Sequence, residues 1–582
     1  MKTIYNIKAF CLILLGVTSL TVNAQENTDN LNREMTLERE YDPSVQDANK
    51  VNTLPVVKEP EVRKMPIDYA NYSVAADPEK EINLLPSGKV MTDMLYNKRR
   101  GYFNFGGGTY LNLNGDLGYH ILSTEKDQLN LFFSHRSTNG NVKYLQGEEE
   151  KVKAKLNDNL GGLYFAHTFS KAKLDLGVKY GYTGFNYYGY DLNEPSISSF
   201  YPASGTPDMD TNQSSQLINI HAGVRSSEEV SLGYLLDIDF KNFSYKYAYS
   251  PDYDGMTENA FRAKLGLFSA FGGNQMVGVN GMLHYFNYSD PELFSSATSI
   301  APLFENYAEV TLTPYYKITG DNWKVKLGAN IMFTTGDYSK FFVSPDIAAD
   351  VEVADKTVLY LKADGRIQSN SAYDISRINR YIDPSYGVIP SRTWLDATIG
   401  LKSGVTPGFW FTIFAGYKIT DDDLFFNQSN SYGVNQSYWG NISQALLLNS
   451  KVFRGGAELK YAYQNLLDVS LKGVYNSWSV SEDFEAYGKP DLEMNAGIDI
   501  RPVDKVSVLL DYYLATGRDA LVQGRELKMK NISELNLIGT YTFNDTFGAY
   551  IKLNNILFQK YEYIYGYPMQ GFSAMVGVNI NF

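Results

Sequence analysis

The last twelve residues of the chain alternate between apolar positions and positions that are mostly polar or glycine. A period of two places successive side chains on opposite faces of a β-strand, so residues 571–582 are predicted to form one strand. Such a strand fits a half-buried position in a soluble sheet and equally a position in the wall of a larger β-barrel. Its apolar face comprises Phe572, Ala574, Val576, Val578, Ile580 and Phe582.

The same alternation recurs from Gly101 onward, for example in residues 308–318, 323–333, 492–501 and 534–543. A soluble sandwich turns such apolar faces inward, whereas a membrane barrel turns them towards lipid and keeps charged residues inside. In a barrel the charges on the polar faces line the lumen, and their mixed signs indicate no preference for anions or cations. The predicted lumen-lining residues are Glu309, Lys317, Lys324, Lys326, Glu493, Asp499 and Arg501.

Ten short connections separate these stretches, and each carries the Gly, Asn or Asp residues, or the short charged segment, that a chain reversal requires. Long polar stretches alternate with them, such as residues 187–213, 370–392 and 421–448. Short turns at one end and long loops at the other are typical of outer-membrane barrels. The short connections lie at residues 123–127, 170–173, 226–229, 272–274, 320–322, 354–356, 404–408, 464–465, 503–505 and 544–546.

The number of turns predicts the number of strands. Ten short turns, with both chain ends on the same side, separate eleven hairpins and therefore 22 strands. A strand needs only about 9–11 residues to cross a bilayer at a tilt, so residues 98–582 are long enough. The predicted fold class is all-β: a transmembrane antiparallel β-barrel of about 22 strands (range 20–24), with short periplasmic turns and long extracellular loops. A barrel of about 16 to 18 strands with longer loops fits less well.

The N-terminus carries an export signal. Lys2 and Lys8 precede the apolar run 9–17, and Val22-Asn23-Ala24 provides small-residue cleavage chemistry, so residues 1–24 are predicted to be a signal peptide. Cys11, the single cysteine of the chain, lies inside this segment. The mature protein is therefore expected to lack cysteine, which excludes disulfides, cysteine nucleophiles and thiolate metal sites.

Residues 25–97 differ from the rest of the chain because scattered prolines interrupt both helices and inner strands. We predict an extended periplasmic tail here, followed by the barrel at 98–582. Two interpretations of the tail remain open: a disordered spacer, and a segment that docks on a periplasmic or outer-membrane protein or threads the lumen as a reduced plug. The docking candidates are Tyr41, Asp42, Pro43, Asp47 and Pro55.

The final strand resembles the β-signal of Gram-negative outer-membrane barrels, which ends on an aromatic residue. This resemblance implies that the barrel-assembly machinery reads Phe572, Val576, Val578, Ile580 and Phe582. A barrel of about 22 strands resembles the TonB-dependent receptor class, whose members fill the lumen with an N-terminal plug domain. The 73 residues of 25–97 are too few for a full plug, so the chain is expected to lack one. The Tyr- and Asn-rich composition is similar to that of Bacteroidota outer-membrane proteins.

The chain shows little sign of catalytic chemistry. The five histidines are scattered singly, and no hydrolase, zinc-protease or phosphate-loop motif occurs, so we predict no catalytic residue, cofactor or metal and no enzyme. The net charge of −13 argues against a nucleic-acid partner. Two acidic clusters, 148–150 and 421–423, match either solvated loops or calcium ligands.

Two functions follow from these patterns. The first is a transport or receptor barrel of the outer membrane, similar to TonB-dependent receptors, that passes or binds a polar solute. The alternative is a non-transporting outer-membrane scaffold whose periplasmic tail docks an envelope or assembly complex. Solute uptake or conductance favours the first function, and co-purification that is lost on deleting 25–97 favours the second.

Overall fold

The computed structural model describes residues 99–146, 151–190, 192, 211–227, 232–248, 254–289, 304–336, 339–384, 387–404, 407–432, 438–481 and 484–582. The predicted signal peptide at 1–24, the tail at 25–97 with its docking candidates, and the acidic cluster at 148–150 lie outside these residues. The predictions for these segments remain predictions.

In the described part of the chain, 22 antiparallel strands pair with their neighbours in sequence and close into a barrel. The ring closes where β26 pairs with β1, from Tyr102 opposite Asn581 to Gly108 opposite Met575. The predicted fold class and strand number are therefore confirmed. The wall strands are β1 (Gly101–Gly108), β2 (Leu113–Ser123), β3 (Asp127–Lys143), β4 (Lys151–Thr168), β5 (Ala172–Asn186), β6 (Asn212–Ser226), β7 (Leu232–Tyr245), β8 (Thr257–Phe271), β9 (Gln275–Ser289), β10 (Tyr307–Thr319), β11 (Trp323–Thr334), β12 (Lys340–Ala354), β13 (Thr357–Gln368), β14 (Ser391–Ser403), β15 (Phe409–Tyr432), β16 (Tyr438–Tyr463), β17 (Leu467–Val480), β18 (Leu492–Val503), β19 (Val506–Thr516), β22 (Ile532–Thr542), β23 (Phe547–Asn554) and β26 (Ser573–Asn581).

Further elements belong to the loops. A short hairpin between β19 and β22 and another between β23 and β26 lie outside the ring. One loop, between β13 and β14, contains the helix α1 (Ala372–Ile378). None of the described helices has the length and apolar character needed to cross a bilayer. The loop strands are β20 (Asp519–Val522), β21 (Arg525–Lys528), β24 (Glu562–Ile564) and β25 (Tyr567–Pro568).

All ten predicted short connections join consecutive wall strands at one end of the barrel. The β8–β9 turn shows why the sequence allows the reversal: Gly272 and Gly273 have φ of +61° and +78°, a region that glycine adopts without strain. Both ends of the ring lie at this same end, because the Gly101 N–H donates to the Phe582 carbonyl at 2.8 Å. We call the other end of the barrel the mouth.

The outer face of the wall is apolar and the inner face polar, as the alternation predicts. On β10 and β11, Leu312 and Leu327 are exposed on the outside, whereas Thr313 and Met332 on the inner face are buried. An exposed apolar band of this kind is the surface that contacts lipid. Exposed aromatic residues at the short-turn end form an interfacial girdle, which comprises Phe169, Phe271, Trp323, Tyr461, Tyr463, Tyr541, Phe543, Phe547 and Phe582.

One predicted loop is wrong. Residues 421–448 were expected to form a long polar loop, but β15 continues to Tyr432 and β16 begins at Tyr438. The physical reason lies in two apolar runs, Leu424 to Phe426 and Ala445 to Leu448, which face each other across the extended hairpin. Such runs are typical of strands with protein on both faces.

Candidate binding cavity at the barrel mouth

The extended hairpin leaves the wall at a β-bulge. Pairing of β15 with β14 ends at Asp421, and pairing of β16 with β17 begins at Ser450. Asp421 and Asp422 together oppose the single residue Asn449, and Asp422 has φ of +54°, which Asp tolerates better than most residues. Such bulges bend a strand. We call residues 423–448 the mouth hairpin.

The three aspartates of the predicted acidic cluster anchor this bend. Trp394 Nε1 donates to Asp421 Oδ2 at 2.8 Å, and the buried Arg392 guanidinium pairs with the Asp422 carboxylate. Asp423 accepts from Ser450 Oγ at 2.6 Å and lies 3.3 Å from Lys489 Nζ. The carboxylates point to different partners, so the cluster is neither a solvated loop nor arranged around an ion. The described residues contain no group of three or more His, Cys, Asp or Glu suited to a metal.

The mouth hairpin reaches the opposite wall. Strands β5 and β16 are eleven positions apart in the ring of 22, so they lie on opposite sides of the barrel. Nevertheless Ile442, on the β16 arm of the hairpin, is fully buried against Phe185 and Tyr187 at the end of β5. The hairpin edges are paired as well: Asn427 lies opposite Leu521 of β20, and Ser443 lies opposite Ile382. A small sheet therefore crosses the mouth.

The loop of residues 369–390, which we call the helical loop, packs beneath this sheet. Ser371 caps α1 by accepting from the Asp374 N–H, and the Ala372 N–H donates to Glu258 Oε2 at 2.6 Å. The Tyr307 hydroxyl donates to the Ser369 carbonyl at 2.7 Å. These contacts hold α1 against the ends of β8 and β10.

The loop of residues 555–572, which we call the terminal loop, enters from the other side. Its β24–β25 hairpin brings the Tyr567 hydroxyl to the Asn441 carbonyl of the mouth hairpin at 2.6 Å. The ring of Tyr567 stacks on Tyr381 of the helical loop, with ring centres 3.7 Å apart, and Tyr188 meets both rings edge-on. Burial raises the pKa of the Tyr188 and Tyr567 hydroxyls well above their usual value, so both remain neutral hydrogen-bond donors. Three segments that are distant in the chain thus meet in one aromatic stack.

A cavity of about 270 Å³ lies between this stack and the wall strands β2, β3, β4, β22 and β23. Its lining combines tyrosine rings, side-chain amides and an excess of positive charge. The single carboxylate, Glu534, accepts a hydrogen bond from the Tyr561 hydroxyl. The charged lining residues are Arg136, Lys155, Arg377, Arg380, Lys552 and Glu534.

Side-chain amides supply the neutral part of the lining. Asn112 Nδ2 donates to Gln570 Oε1 at 3.0 Å, and Gln570 Nε2 donates to Thr138 Oγ1 at 2.7 Å. This chain of hydrogen bonds joins the β1–β2 connection, the wall and the terminal loop. The cavity therefore offers both charge and directional hydrogen bonding to a polar molecule.

Four of the seven predicted lumen-lining residues have close partners on the inner face. Glu309 is buried and accepts from Ser369 Oγ at 3.0 Å, so it supports the helical loop. Lys326 pairs with Asp346 on the next strand. Arg501 lies 3.1 Å from an oxygen of Asp468, and it also pairs with the predicted residue Asp499.

The remaining predicted residues are spread over different parts of the barrel. Lys317 lies 5.0 Å from the centre of the Tyr315 ring, and Lys324 is exposed near the short turns. Glu493 lines a second cavity of about 180 Å³. None of the seven residues lines the 270 Å³ cavity. Sequence reasoning thus missed the cavity cations, although Arg136, Lys155 and Lys552 stand on polar strand faces beside predicted loops.

The predicted β-signal residues belong to β26 and its flanks. Val576 and Val578 are exposed on the outer face, and the Phe582 ring stacks on Tyr119 with centres 5.9 Å apart. Ile580 faces the same side and pairs with Phe103. Phe572 lies at the mouth end, stacked on Phe558 at 5.0 Å. Reading of these residues by the assembly machinery remains a prediction.

Comparison with known proteins gives likenesses at the level of structure only, since neither a family model nor a curated protein matches the sequence. The chain is similar to the siderophore receptor PirA of Acinetobacter baumannii, with a TM-score of 0.61, 9% identity, and coverage of 84% of this chain and 81% of PirA. A structure of the ferric enterobactin receptor PfeA of Pseudomonas aeruginosa gives a TM-score of 0.60 at 10% identity, covering 83% and 80% of the two chains. The copper transporter OprC gives 0.56 at 12% identity, covering 83% and 82%. The chain therefore has the 22-strand barrel fold of the TonB-dependent receptors.

Proposed function

We propose that the chain is a receptor-type transport barrel of the outer membrane, which takes up a polar solute from the cell surface and is not an enzyme. The observation that carries this proposal is the solute-sized cavity between the wall and the loops at the mouth, whose lining offers cations and amides beside tyrosine rings. A barrel of 22 strands is wide enough to pass a solute once its lumen is cleared. The receptors and the transporter that share the fold support the same class of function.

Movement of the mouth hairpin is the gating step of this proposal. The hairpin is joined to the helical loop by two backbone hydrogen bonds, from Asp383 N–H to the Ser443 carbonyl at 2.8 Å and from Ser443 N–H to the Tyr381 carbonyl at 2.9 Å. On its other edge it pairs with β20 over two residue pairs. These backbone pairings are fewer than those of a wall pair. Opening of the hairpin about its bulge would also release the packing of Ile442 and the hydrogen bond from Tyr567 to Asn441, while the barrel stays closed.

A disulfide across the hairpin edge tests the gate. Ile382 and Ser443 are bridge partners, and neighbouring strands lie about 4.8 Å apart, which suits a disulfide. In the double variant Ile382→Cys with Ser443→Cys, oxidation is expected to lower solute flux into proteoliposomes to the protein-free level, and reduction to restore it. The control pair, Val358→Cys with Lys402→Cys, joins two wall strands and leaves flux unchanged. Flux that is unaffected by oxidation of the first pair contradicts the gate.

The scaffold function is the second candidate, and closure of the mouth by the buried aromatic stack favours it. A scaffold needs no open path. In planar bilayers, a barrel lacking residues 25–97 conducts more than the intact protein if the tail occludes the lumen, which supports transport. If both forms stay closed and a partner co-purifies only with the intact tail, the docking function replaces the transport function.

A further inference from the structure

We infer that the 270 Å³ cavity binds a compact anion with two or more negative charges. The inference rests on the proposed function and names the class of solute. The first observation is the charge of the cavity lining, which contains five cations and one carboxylate. The chain as a whole has a net charge of −13. An inner surface that opposes the charge of the whole molecule concentrates ions of the opposite sign.

The second observation concerns the hydrogen bonds and ion pairs of three of these cations. Arg136, Arg380 and Lys552 form no hydrogen bond or ion pair with any residue that the structure describes. Lys552 lies among charges of both signs, since Arg136 repels its ammonium group and Asp116 and Glu534 attract it. Five cations against one carboxylate leave an excess of positive charge in the lining, and a site of this kind is typically completed by a bound anion.

Elsewhere on the inner face several cations have carboxylate partners. Arg454 is buried and pairs with Asp396, and Arg392 pairs with Asp422. Lys326 pairs with Asp346. The cavity differs from these pairs because several cations meet at one place with a single carboxylate, which favours a ligand that supplies negative charge.

The geometry of the cavity limits the size of this anion. Cavities for drug-sized molecules measure about 300–1,000 Å³, so 270 Å³ accommodates a smaller solute, such as a sugar phosphate or a tricarboxylate. Arg136 and Arg380 supply planar forks for oxyanions, and the amides of Asn112 and Gln570 supply hydrogen bonds for hydroxyl groups. Larger solutes are excluded while the aromatic stack is closed.

Equilibrium binding to the full barrel in detergent tests the inference without requiring transport. The probes are glucose 6-phosphate, citrate and inorganic phosphate, with glucose as the neutral counterpart, measured by calorimetry at low salt. At least one of the anions is expected to bind and glucose is not, and added salt weakens binding. Each of the variants Arg136→Gln, Arg380→Gln and Lys552→Gln is expected to lower the affinity about tenfold.

Two further variants distinguish the loss of a binding group from a folding defect. Arg525→Gln removes an exposed cation outside the cavity and is expected to leave the affinity unchanged. Glu534→Gln removes the single carboxylate of the lining and is expected to raise the affinity, which a merely destabilised protein does not show. Retained barrel migration on an unheated gel confirms that each variant is folded.

The outcomes separate the inference from the proposed function. The inference is overturned if none of the three anions binds, if glucose binds equally well, or if the three Gln variants bind like the wild type. Should anion binding fail while the disulfide still blocks flux of a neutral solute, the transport function stands without the anion site. Should the anion bind while the disulfide leaves flux unchanged, the cavity is a binding site and the transport function fails.

Discussion

At the scale of single residues, burial in a loop determines how readily a carboxyl group ionises. Glu562 in the terminal loop is buried, and it accepts hydrogen bonds from the Gly566 N–H at 3.0 Å and from Gln146 Nε2 at 3.1 Å. Burial nevertheless raises the pKa of this carboxyl above its ordinary value of 4.5, because removal from water penalises the charged form more than these hydrogen bonds stabilise it. The folded loop therefore holds this proton more tightly than the open loop does.

The sign of the resulting pH dependence follows from that shift. A raised folded-state pKa stabilises the docked loop fully below about pH 4.5, and this stabilisation is lost as the pH rises through the raised value. Hydrogen exchange of residues 561–567, corrected for the intrinsic effect of pH, is expected to quicken as the pH rises over this range. The variant Glu562→Gln is expected to flatten the profile, whereas Glu485→Gln, at an exposed loop position, retains the wild-type profile. A pH-dependent Glu562→Gln profile contradicts this assignment.

Alternation along a strand predicts which face a residue occupies but not its partner. It assigns Lys326 to the inner face, yet the pairing with Asp346 depends on the register of β11 against β12. The cavity is harder to predict from the sequence than this pairing. Arg136, Arg380 and Lys552 line one cavity only because the helical loop and the terminal loop fold in over the wall. Local patterns carry no information about such long-range contacts.

At the scale of elements, turn chemistry was the most informative part of the sequence. All ten short connections fall where Gly, Asn, Asp or a charged segment interrupts the alternation, and together they define the strand number. The mouth hairpin was missed because its polar tip resembles a loop, although the apolar runs at Leu424 and Leu446 indicate buried strand. Strand ends beyond the membrane are determined by the loops that pack on them, and this is a tertiary effect.

Ile442 contributes to the docking of the mouth hairpin on the opposite wall. Ile442→Ala leaves a gap against Phe185 and Tyr187, and such a truncation costs about 2–5 kcal/mol when the site is fully buried. We expect faster protease cleavage within 423–448 and more frequent openings in single-channel recordings, while the barrel itself remains folded. The matched control is Ile413→Ala on β15, where the side chain is exposed on the outer face. Equal effects of the two substitutions would show that the hairpin is not held by this contact.

At the scale of the whole molecule, Phe582 is expected to matter little for folding of the barrel but to matter for its assembly in the membrane. Phe582 contributes one exposed ring among many in the girdle, so Phe582→Ser is expected to leave refolding into detergent unchanged. If the assembly machinery reads the final strand, the same variant is expected to reduce the amount of folded barrel in cells several-fold. Phe547→Ser is the control, since this residue is equally exposed in the same girdle on the adjacent strand. Normal cellular levels of Phe582→Ser contradict the predicted β-signal.

The hydrogen bonds between Gly101 and Phe582 have a consequence for the order in which the strands can follow one another along the chain. The two residues exchange backbone hydrogen bonds of 2.8 and 2.9 Å, so the seam at the chain ends is bonded like the boundary between any two neighbouring strands. A circular permutant that joins residue 582 to residue 99 and begins instead at Trp323 encodes the same ring with β10 as its final strand. In such a permutant β26 still belongs to the barrel, but it is no longer the last strand of the chain. These two properties of β26 are therefore separable.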